Sequence, residues 1–410
     1  MMRIKAIFTF LLISLSPQAA MSEGRLIIAG GAVAKANAPV WEAFIESLPE
    51  EGHVFVVAAA SSAPSSSAQS ARSALASHGL AMERIKVAPL AVLDDKGTPS
   101  TNESKWRKNA FDSKLSNMLQ EAAGFWFTGG DQLRITNLLQ DGEEAPALTA
   151  IRRAHANGAS LGGASAGAAI MSDLMIYGGE SLSALLQPPT RSGGDGLLIT
   201  QGLGFFTHGV VDQHFGERAR LGRLIRAISI LPQPEQRLGF GIDEGTALVV
   251  DAAGRLSVVG ENYVTVVDGT TAAFSETKGR LSVNGLTLHL LGPTDALNLA
   301  TGAVTPAAYR KATVTNPYFN TPLPGGGGMA LNGQTLSSVI GDGLVDNAAA
   351  SQIIRDSFDD KGRGARYRFT QRSNTRGFWG RNKNNVAHYS VISVKMDVIP
   401  IQVTIEELDH

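Results

Sequence analysis

Short apolar runs alternate with amphipathic segments along the first half of the chain. Strands are predicted at 25–29, 53–58, 85–90 and 124–128. Helices are predicted at 40–48, 67–78, 103–122, 132–140 and 145–156. Continuous apolar strands that alternate with helices are typical of a parallel sheet covered on both faces. The pattern therefore predicts an α/β fold with a doubly wound, mostly parallel sheet.

The pattern changes after residue 239, where short strands follow one another at hairpin spacing. They are predicted at 246–250, 256–259, 263–267, 281–283 and 286–290, with Gly-Arg, Asp-Gly and Asn-Gly turns between them. We interpret them as antiparallel strands that close one edge of the sheet.

The last part of the chain predicts an appended region. The Gly-rich segment 322–328 is typical of a linker, a helix is predicted at 345–358, and strands are predicted at 391–394 and 398–405. We divide the mature chain into a domain at 23–300 and a C-terminal extension at 301–410 of unassigned role. Residues 361–383 hold eight basic residues and no acid, which favours a solvated, mobile surface over a patch for a polyanionic partner.

The first 22 residues have the composition of a secretory signal peptide. Arg3 and Lys5 precede a mostly apolar run at 6–15, and small residues suit cleavage after Ser22. The apolar run is too short to span a membrane. The sequence thus predicts an exported, periplasmic or secreted protein that leaves the membrane after cleavage.

Composition narrows the possible chemistry. The 410 residues carry 36 Lys and Arg against 37 Asp and Glu, a net charge of −1, so nothing indicates a nucleic-acid partner. There is no Cys, which excludes disulfides, a thiolate nucleophile and Cys-based zinc sites. We find no metal-ligand spacing, no Walker loop and no dinucleotide fingerprint, because Gly30-Gly31 alone is too short a signal, and we predict no cofactor.

Residues 163–167 read Gly-Ala-Ser-Ala-Gly, a G-x-S-x-G pattern. A short strand at 159–162 precedes it and a helix at 166–176 is predicted to follow, as a nucleophile elbow requires. Ser165 is then the candidate nucleophile, and the Ala166 N–H at the helix start is a candidate oxyanion donor. A plain Gly-rich turn is the alternative.

A serine nucleophile needs a base and an orienting carboxylate. His214 ends the apolar run 210–215 just before a predicted helix at 217–230, and His208 is the competing candidate. Asp243 and Glu244 lie in a turn bounded by Gly, and either could orient the base.

Two further clusters could bind a substrate. The turn at 127–132 ends an apolar strand and offers free backbone N–H groups to an anion. Arg220, Arg223 and Arg226 lie three residues apart on one side of the predicted helix, close to Arg218, and could hold carboxylates or form a solvated face.

Together these motifs resemble the cyanophycinases, a serine-peptidase family related to aspartyl dipeptidase (peptidase E). The similarity covers roughly 25–291 and is carried by 129–132, 162–168, 212–223 and 241–244. The motif Asp-Gln-His-Phe with its three arginines is the most specific part. The family commonly has Thr where this chain has Ala164.

The resemblance implies a flavodoxin-like sheet of the class I glutamine amidotransferase type. It implies catalysis by Ser165, His214 and Glu244, with backbone N–H groups near Gly130 and Ala166 as the oxyanion hole. Carried over residue by residue, the substrate site would comprise Gln132, Asp212, Gln213, Arg218, Arg220 and Arg223. The implied substrate is cyanophycin, a polyaspartate with arginine on each β-carboxyl, and the implied products are β-Asp-Arg dipeptides.

Other functions stay open at this stage. An exported dipeptidase for N-terminal Asp would use the same fold and nucleophile. A catalytically silent binding protein of the cell envelope is a different class, and a glutamine amidotransferase is disfavoured because the chain has no Cys. The sequence leaves the oligomeric state open, including a homodimer.

Overall fold

The computed structural model describes residues 23–323 and 335–404. The predicted signal peptide and most of the predicted Gly-rich linker lie outside these residues. The helices are α1 (Ala38–Ile45), α2 (Pro64–Ser77), α3 (Ser113–Gln120), α4 (Gln132–Leu139), α5 (Pro146–Ala156), α6 (Ala166–Ala169), α7 (Ser181–Leu186) and α8 (Leu221–Ser229), with 3₁₀ turns at Met82–Arg84, Glu103–Phe111 and Pro234–Gln236 and a π-helix at Ser338–Val345.

The strands up to residue 260 are β1 (Leu26–Ala29), β2 (Val54–Val57), β3 (Ile85–Val87), β4 (Gly124–Phe127), β5 (Ser160–Ala164), β6 (Leu174–Gly178), β7 (Leu198–Gln201), β8 (Val210–Gln213), β9 (Leu238–Ile242), β10 (Thr246–Val250) and β11 (Arg255–Gly260). The later strands are β12 (Val264–Asp268), β13 (Ala273–Thr277), β14 (Arg280–Leu291), β15 (Ala296–Asn298), β16 (Ala303–Thr305), β17 (Lys311–Ala312), β18 (Gln352–Phe358), β19 (Arg363–Thr370), β20 (Arg376–Arg381) and β21 (Ala387–Gln402).

The first sheet has a parallel centre, as predicted. Five parallel strands lie in the order β1-β5-β4-β2-β3, and antiparallel β10, β11, β15 and β16 continue the sheet beyond β1. Side chains of the parallel strands alternate between two apolar cores, because Ile27 belongs to the core that contains α1 and α2 while Ile28 belongs to the core that contains α3 and α5. Burial on both faces explains the continuous apolar runs in the sequence.

The second sheet is mostly antiparallel and unites strands that are distant in sequence. Its order is β17-β20-β21-β14-β12-β9-β8, with β13 paired to β14 and the β18–β19 hairpin joined to β21. β8 and β9 are its parallel pair. The predicted division at residue 300 stays a prediction, but strands from both sides of that residue build this sheet.

The expectation that all the predicted late strands close one edge of the first sheet is wrong for β12 and β14, which belong to the second sheet. Segments 281–283 and 286–290 form one strand, because both pair with β21 and the Asn-Gly step becomes a bulge instead of a turn. Gly285, with a φ of 89°, absorbs the extra residue.

Further predicted elements differ from the structure. The helix after Ser165 ends at Ala169, because 174–178 pairs with β7. The helix predicted at 345–358 is wrong, because the π-helix ends at Val345 and residues 352–358 form strand β18. The basic stretch at 361–383 forms β19 and β20 rather than a mobile surface, and Arg363 and Arg366 pair with acids that precede it.

Candidate active site

Ser165 lies in a sharp turn between β5 and α6. Its backbone has φ 55° and ψ −110°, a conformation that residues other than Gly rarely adopt. A Cβ at Gly163 would lie 2.3 Å from the Gly167 carbonyl oxygen, so the turn requires Gly at that position. The Ser165 N–H donates to the Ala29 carbonyl at 3.0 Å, which fixes the turn against β1. The strand–turn–helix arrangement predicted around Ser165 is therefore present.

His214 follows β8 directly, and its ring lies between Ser165 and Glu244. Ser165 Oγ is 2.8 Å from His214 Nε2, and His214 Nδ1 is 2.5 Å from Glu244 Oε1. A proton on Nδ1 is donated to the Glu244 carboxylate, which leaves Nε2 to accept the Ser165 hydroxyl proton. The three side chains thus form one hydrogen-bonded chain that can activate a nucleophile.

Two glycines at the end of β1 fix the position of His214. The Gly30 carbonyl accepts the His214 N–H at 2.7 Å. Gly31 has a φ of 117°, and a Cβ there would lie 2.3 Å from His214 Cε1. Sequence reasoning considered this Gly pair only as an incomplete dinucleotide signal. Its place at the end of the first strand of an α/β sheet was the available sign that it adjoins the site.

The surroundings of His214 keep its ring neutral. Burial lowers the pKa of His214 below its usual 6.5, the hydrogen bond that His214 donates to Glu244 raises it, and the charges of Arg218 and Arg220 lower it further. A neutral imidazole at neutral pH is the form that accepts a proton.

His208, the competing candidate base, lies at the opposite end of β8. Its ring is exposed and packs edge-on against Phe206, with centroids 5.5 Å apart. It borders a depression that Glu23 and His155 also line. The structure therefore does not bring His208 to Ser165.

The two adjacent carboxylates have different partners. Glu244 contacts His214, whereas Asp243 accepts hydrogen bonds from the N–H groups of Gly216 at 2.8 Å and Tyr263 at 3.3 Å. Burial and the charge of Glu217 raise the pKa of Asp243 to about 7. Asp243 thus holds the turn after His214, and Glu244 is the carboxylate that meets the ring.

Two sources of backbone N–H groups adjoin Ser165. A Cβ at Gly129 would lie 3.3 Å from Ser165 Cβ, so the turn after β4 passes close to the serine. Gly130 has a φ of 140° and packs against the Ala60 carbonyl, which allows no side chain there. Ala166 is the first residue of α6, and its N–H has no acceptor within the helix.

A buried polar cluster, formed by Asp212, Gln213, Arg220 and Arg223, lies beside His214. Arg223 Nε and Nη2 donate to the two carboxylate oxygens of Asp212 at 2.7 and 2.6 Å. Arg220 Nη1 donates to the Gln213 backbone carbonyl and, at 2.7 Å, to its side-chain oxygen. Burial and the charge of Arg223 lower the pKa of Arg220 to about 10, so Arg220 stays charged at neutral pH.

The other predicted binding residues differ in exposure. Gln132 starts α4, where it is buried, and its Nε2 donates to the Ile176 carbonyl at 3.1 Å. Arg218 is exposed, and its guanidinium has no hydrogen-bond or ion-pair partner among residues 23–323 and 335–404. Arg226 is not available to a substrate carboxylate, because it is buried and bonded to Glu276 and to backbone carbonyls.

In the described part of the chain, no group of three His, Cys, Asp or Glu side chains is placed to hold a metal ion. No helix there is long and apolar enough to cross a membrane.

Comparisons with known proteins cover this site. A sequence profile described as "Peptidase family S51" matches residues 106–256, which include Ser165, His214 and Glu244. A crystal structure of a peptidase from an acI-B1 Actinobacterium is 21 % identical, with a TM-score of 0.41, and covers 60 % of this chain and 91 % of that one.

Three curated relatives carry the name cyanophycinase. The protein of Nostoc sp. strain PCC 7120 is 38 % identical over 210 residues, which are 50 % of this chain and 66 % of the relative. The protein of Synechococcus elongatus is 40 % identical over 204 residues, 48 % and 59 % of the two chains. The protein of Geminocystis herdmanii is 37 % identical over 196 residues, 46 % and 67 %. This chain covers less than two thirds of the length of the first two relatives and just over two thirds of the third. The chain belongs to peptidase family S51.

Proposed function

We propose that this chain is a serine peptidase in which Ser165 is the nucleophile, His214 the base and Glu244 the orienting carboxylate. The hydrogen-bonded chain from Ser165 Oγ through His214 to Glu244 carries this proposal. The strained backbone of Ser165 supports it, since such strain concentrates at functional sites.

In this mechanism Ser165 attacks a main-chain carbonyl and His214 accepts the hydroxyl proton. The backbone N–H groups of Gly130 and Ala166 hold the developing oxyanion. His214 then returns the proton to the leaving amine, and an acyl-enzyme on Ser165 remains. Water, deprotonated by His214, releases the acyl group and restores the serine.

We infer cyanophycin as the substrate and β-Asp-Arg dipeptides as the products, in line with the names of the relatives. Arg218, exposed and without a partner in the described part of the chain, suits a substrate carboxylate. We assign Gln132, Gln213 and Arg220 to substrate binding as well; Gln213 directly precedes His214 in the chain and is bonded to Arg220. Asp212 and Arg223 are paired with each other, so we assign them to holding Gln213 and Arg220 in place.

Two finer features belong to the same proposal. Read from its edge, the parallel part of the first sheet has the order β3-β2-β4-β5-β1. When β2 is counted as the first strand, this is the order 2-1-3-4-5 of a flavodoxin-like sheet, with β1 in the place of the fifth strand, which supports that fold class.

We also propose that the chain is exported after cleavage behind Ser22. Recovery of an N-terminus at Glu23 from the periplasm or medium tests this.

The test of function uses the purified chain with insoluble cyanophycin, and the soluble products are identified by mass. Ser165→Ala is the control, and Asp-X dipeptides are assayed in parallel. β-Asp-Arg released by the wild type and not by the variant supports the proposal. Turnover of Asp-X dipeptides alone would replace it with an aspartyl dipeptidase, and binding of cyanophycin without turnover would replace it with a binding protein.

A further inference from the structure

Exposed aromatic side chains cluster at the edge of the second sheet, outside the segment matched by the S51 profile. Tyr318 is 84 % exposed, Trp379 38 % and Tyr309 36 %. Apolar side chains gathered on a surface mark sites of interaction. We call this surface the aromatic groove and define it by Tyr309, Lys311, Tyr318, Asp346, Trp379 and Arg381, which line one depression of about 390 Å³.

The aromatic groove is built on fixed backbone. Lys311 of β17 lies directly opposite Trp379 of β20 in antiparallel register, so the two side chains share one side of the sheet. The Tyr318 N–H donates to the Asp346 carboxylate at 2.7 Å, and the Tyr318 ring packs edge-on against Phe319 with centroids 5.0 Å apart. A site that is already formed binds with a smaller loss of conformational entropy.

The groove combines flat aromatic faces with cations. The Arg381 guanidinium lies 5.7 Å from the centre of the Trp379 ring, which shows that this ring accepts a planar cation. Arg381 and Lys311 add two exposed positive charges. The chemistry fits a ligand that carries both guanidinium groups, which stack on aromatic rings, and carboxylates, which pair with the cations.

Other ligand classes match these features less well. A neutral carbohydrate would stack on the rings and leave Lys311 and Arg381 without a role. A nucleic acid would need a wider basic surface, yet Arg363 and Arg366 in the same sheet are paired with acids.

We propose that the aromatic groove is an accessory docking site for arginine branches of the insoluble polymer. This inference rests on the proposed function, because cyanophycin carries a guanidinium and a free carboxylate on each branch.

The groove is also linked to the catalytic loop. Gly380 pairs with His388, His388 Nε2 bonds to the Glu261 carbonyl at 2.8 Å, and the Glu261 N–H donates to the carbonyl of Gly245, next to Glu244. A polymer held at the groove by some of its branches can present other branches to Ser165, which raises the effective concentration of substrate at the catalytic site.

The experiment measures co-sedimentation of the full chain with insoluble cyanophycin, in the Ser165→Ala background so that nothing is digested. Adding Tyr318→Ala and Trp379→Ala should weaken binding roughly 5- to 30-fold, the loss of two cation–π contacts. Phe111→Ala, which removes an aromatic ring that is 67 % exposed elsewhere, is the matched control and should stay within about twofold. Trp379→Tyr should restore binding, and free arginine should compete better than lysine, because an ammonium cannot stack as a plane.

The same groove substitutions in the active enzyme separate docking from folding. Turnover of short soluble β-Asp-Arg oligomers should stay within about twofold of wild type while release from the insoluble polymer slows. If the double variant loses turnover of the oligomers as well as release from the polymer, the single variant Tyr318→Ser is tested in its place. Tyr318 is chosen because its side chain is the most exposed of the three aromatic residues in the groove.

The two proposals fail separately. The docking proposal is overturned if the groove variants sediment as much as the Phe111→Ala control. It is also overturned if Ser165→Ala with an intact groove does not sediment at all. Neither result bears on turnover by the wild type. If the wild type binds the polymer through the groove but releases no product, the proposed function is overturned and the docking proposal stands.

Discussion

The two sheets contribute to the candidate site in different ways. The first sheet places Ser165 through backbone sterics, since the turn after β5 closes only with Gly163 and Gly167 on either side of the serine. The second sheet places His214 and Glu244, which follow its parallel strands β8 and β9, through hydrogen bonds. The nucleophile and its base thus come from different sheets, which meet at Gly30 and Gly31.

Because the two parts of the site are held in place differently, substitutions in them should have different effects. A substitution at the nucleophile should remove chemistry and leave the fold intact. A substitution in the polar cluster behind His214 should reduce stability and alignment together, because the cluster is buried. The following predictions run from the largest expected effect to the smallest.

Ser165→Ala should abolish turnover and leave the structure unchanged. Loss of the nucleophile in comparable triads costs on the order of 10⁶ in kcat. The hydroxyl bonds to His214, so its removal leaves the backbone turn in place. Product release and thermal unfolding are measured side by side. Activity within tenfold of wild type would remove Ser165 from the mechanism.

His214→Ala should be nearly as damaging, and His208→Ala should keep activity within about twofold. The two residues flank the same short strand, so the pair is a matched test of which end of β8 carries the chemistry. His214 contacts Ser165 and Glu244, whereas His208 contacts Phe206. The reverse ranking would show that the base lies elsewhere.

Sequence reasoning went furthest where structure depends on local pattern. The parallel strands and the turn at Ser165 were predicted because apolar runs and Gly spacing are local signals. The second sheet was missed because β14 pairs with β21, more than 100 residues later, and this pairing turns the Asn-Gly step into a bulge.

The choice between Asp243 and Glu244 was open for a related reason. Both lie in one turn, and their roles depend on partners distant in sequence: Gly216 and Tyr263 for Asp243, and His214 for Glu244. In the sequence, only the resemblance to a known family favours Glu244 over Asp243.

Arg223→Ala should destabilise the fold by roughly 3–5 kcal/mol, because the buried Asp212 carboxylate loses its bidentate partner and keeps only the longer ion pair with Arg220 at 3.6 Å. Arg223 makes two short bonds to this carboxylate. The free energy of unfolding in urea measures the loss. The double variant Asp212→Asn/Arg223→Met should recover much of it, since the buried carboxylate is then removed together with its bidentate partner. Full stability of the single variant would contradict the assignment of Arg223 to a positioning role.

Arg220→Ala should lower kcat/KM for cyanophycin about 10- to 150-fold, the loss of one charge-assisted contact of about 1.5–3 kcal/mol. Arg220→Lys should recover little, because Arg220 Nη1 already bonds the backbone and side-chain oxygens of Gln213 and only a guanidinium has further N–H groups in a fixed plane to offer a carboxylate. Effects within threefold for both variants would show that Arg220 makes no contact with the substrate that matters for turnover.

Arg218→Gln should shift the pH dependence of kcat/KM by a small amount in a defined direction. His214 must be neutral to accept the proton, so kcat/KM rises with pH through the pKa of His214 in the free enzyme. The positive charge of Arg218 helps to hold that pKa below 6.5. Its removal should therefore move the acidic limb to higher pH, by about 0.3 unit for an exposed charge at low salt.

The matched control is Arg218→Lys, which keeps the charge and should keep the limb in place. The series is best measured in Asp243→Asn as well, because the pKa of Asp243 is raised to about 7 and its ionisation would overlap the limb. Screening should abolish the shift near 1 M salt, since Arg218 is exposed. An equal shift in the Gln and Lys variants, or one that persists at high salt, would mean that Arg218 acts on His214 through packing rather than charge.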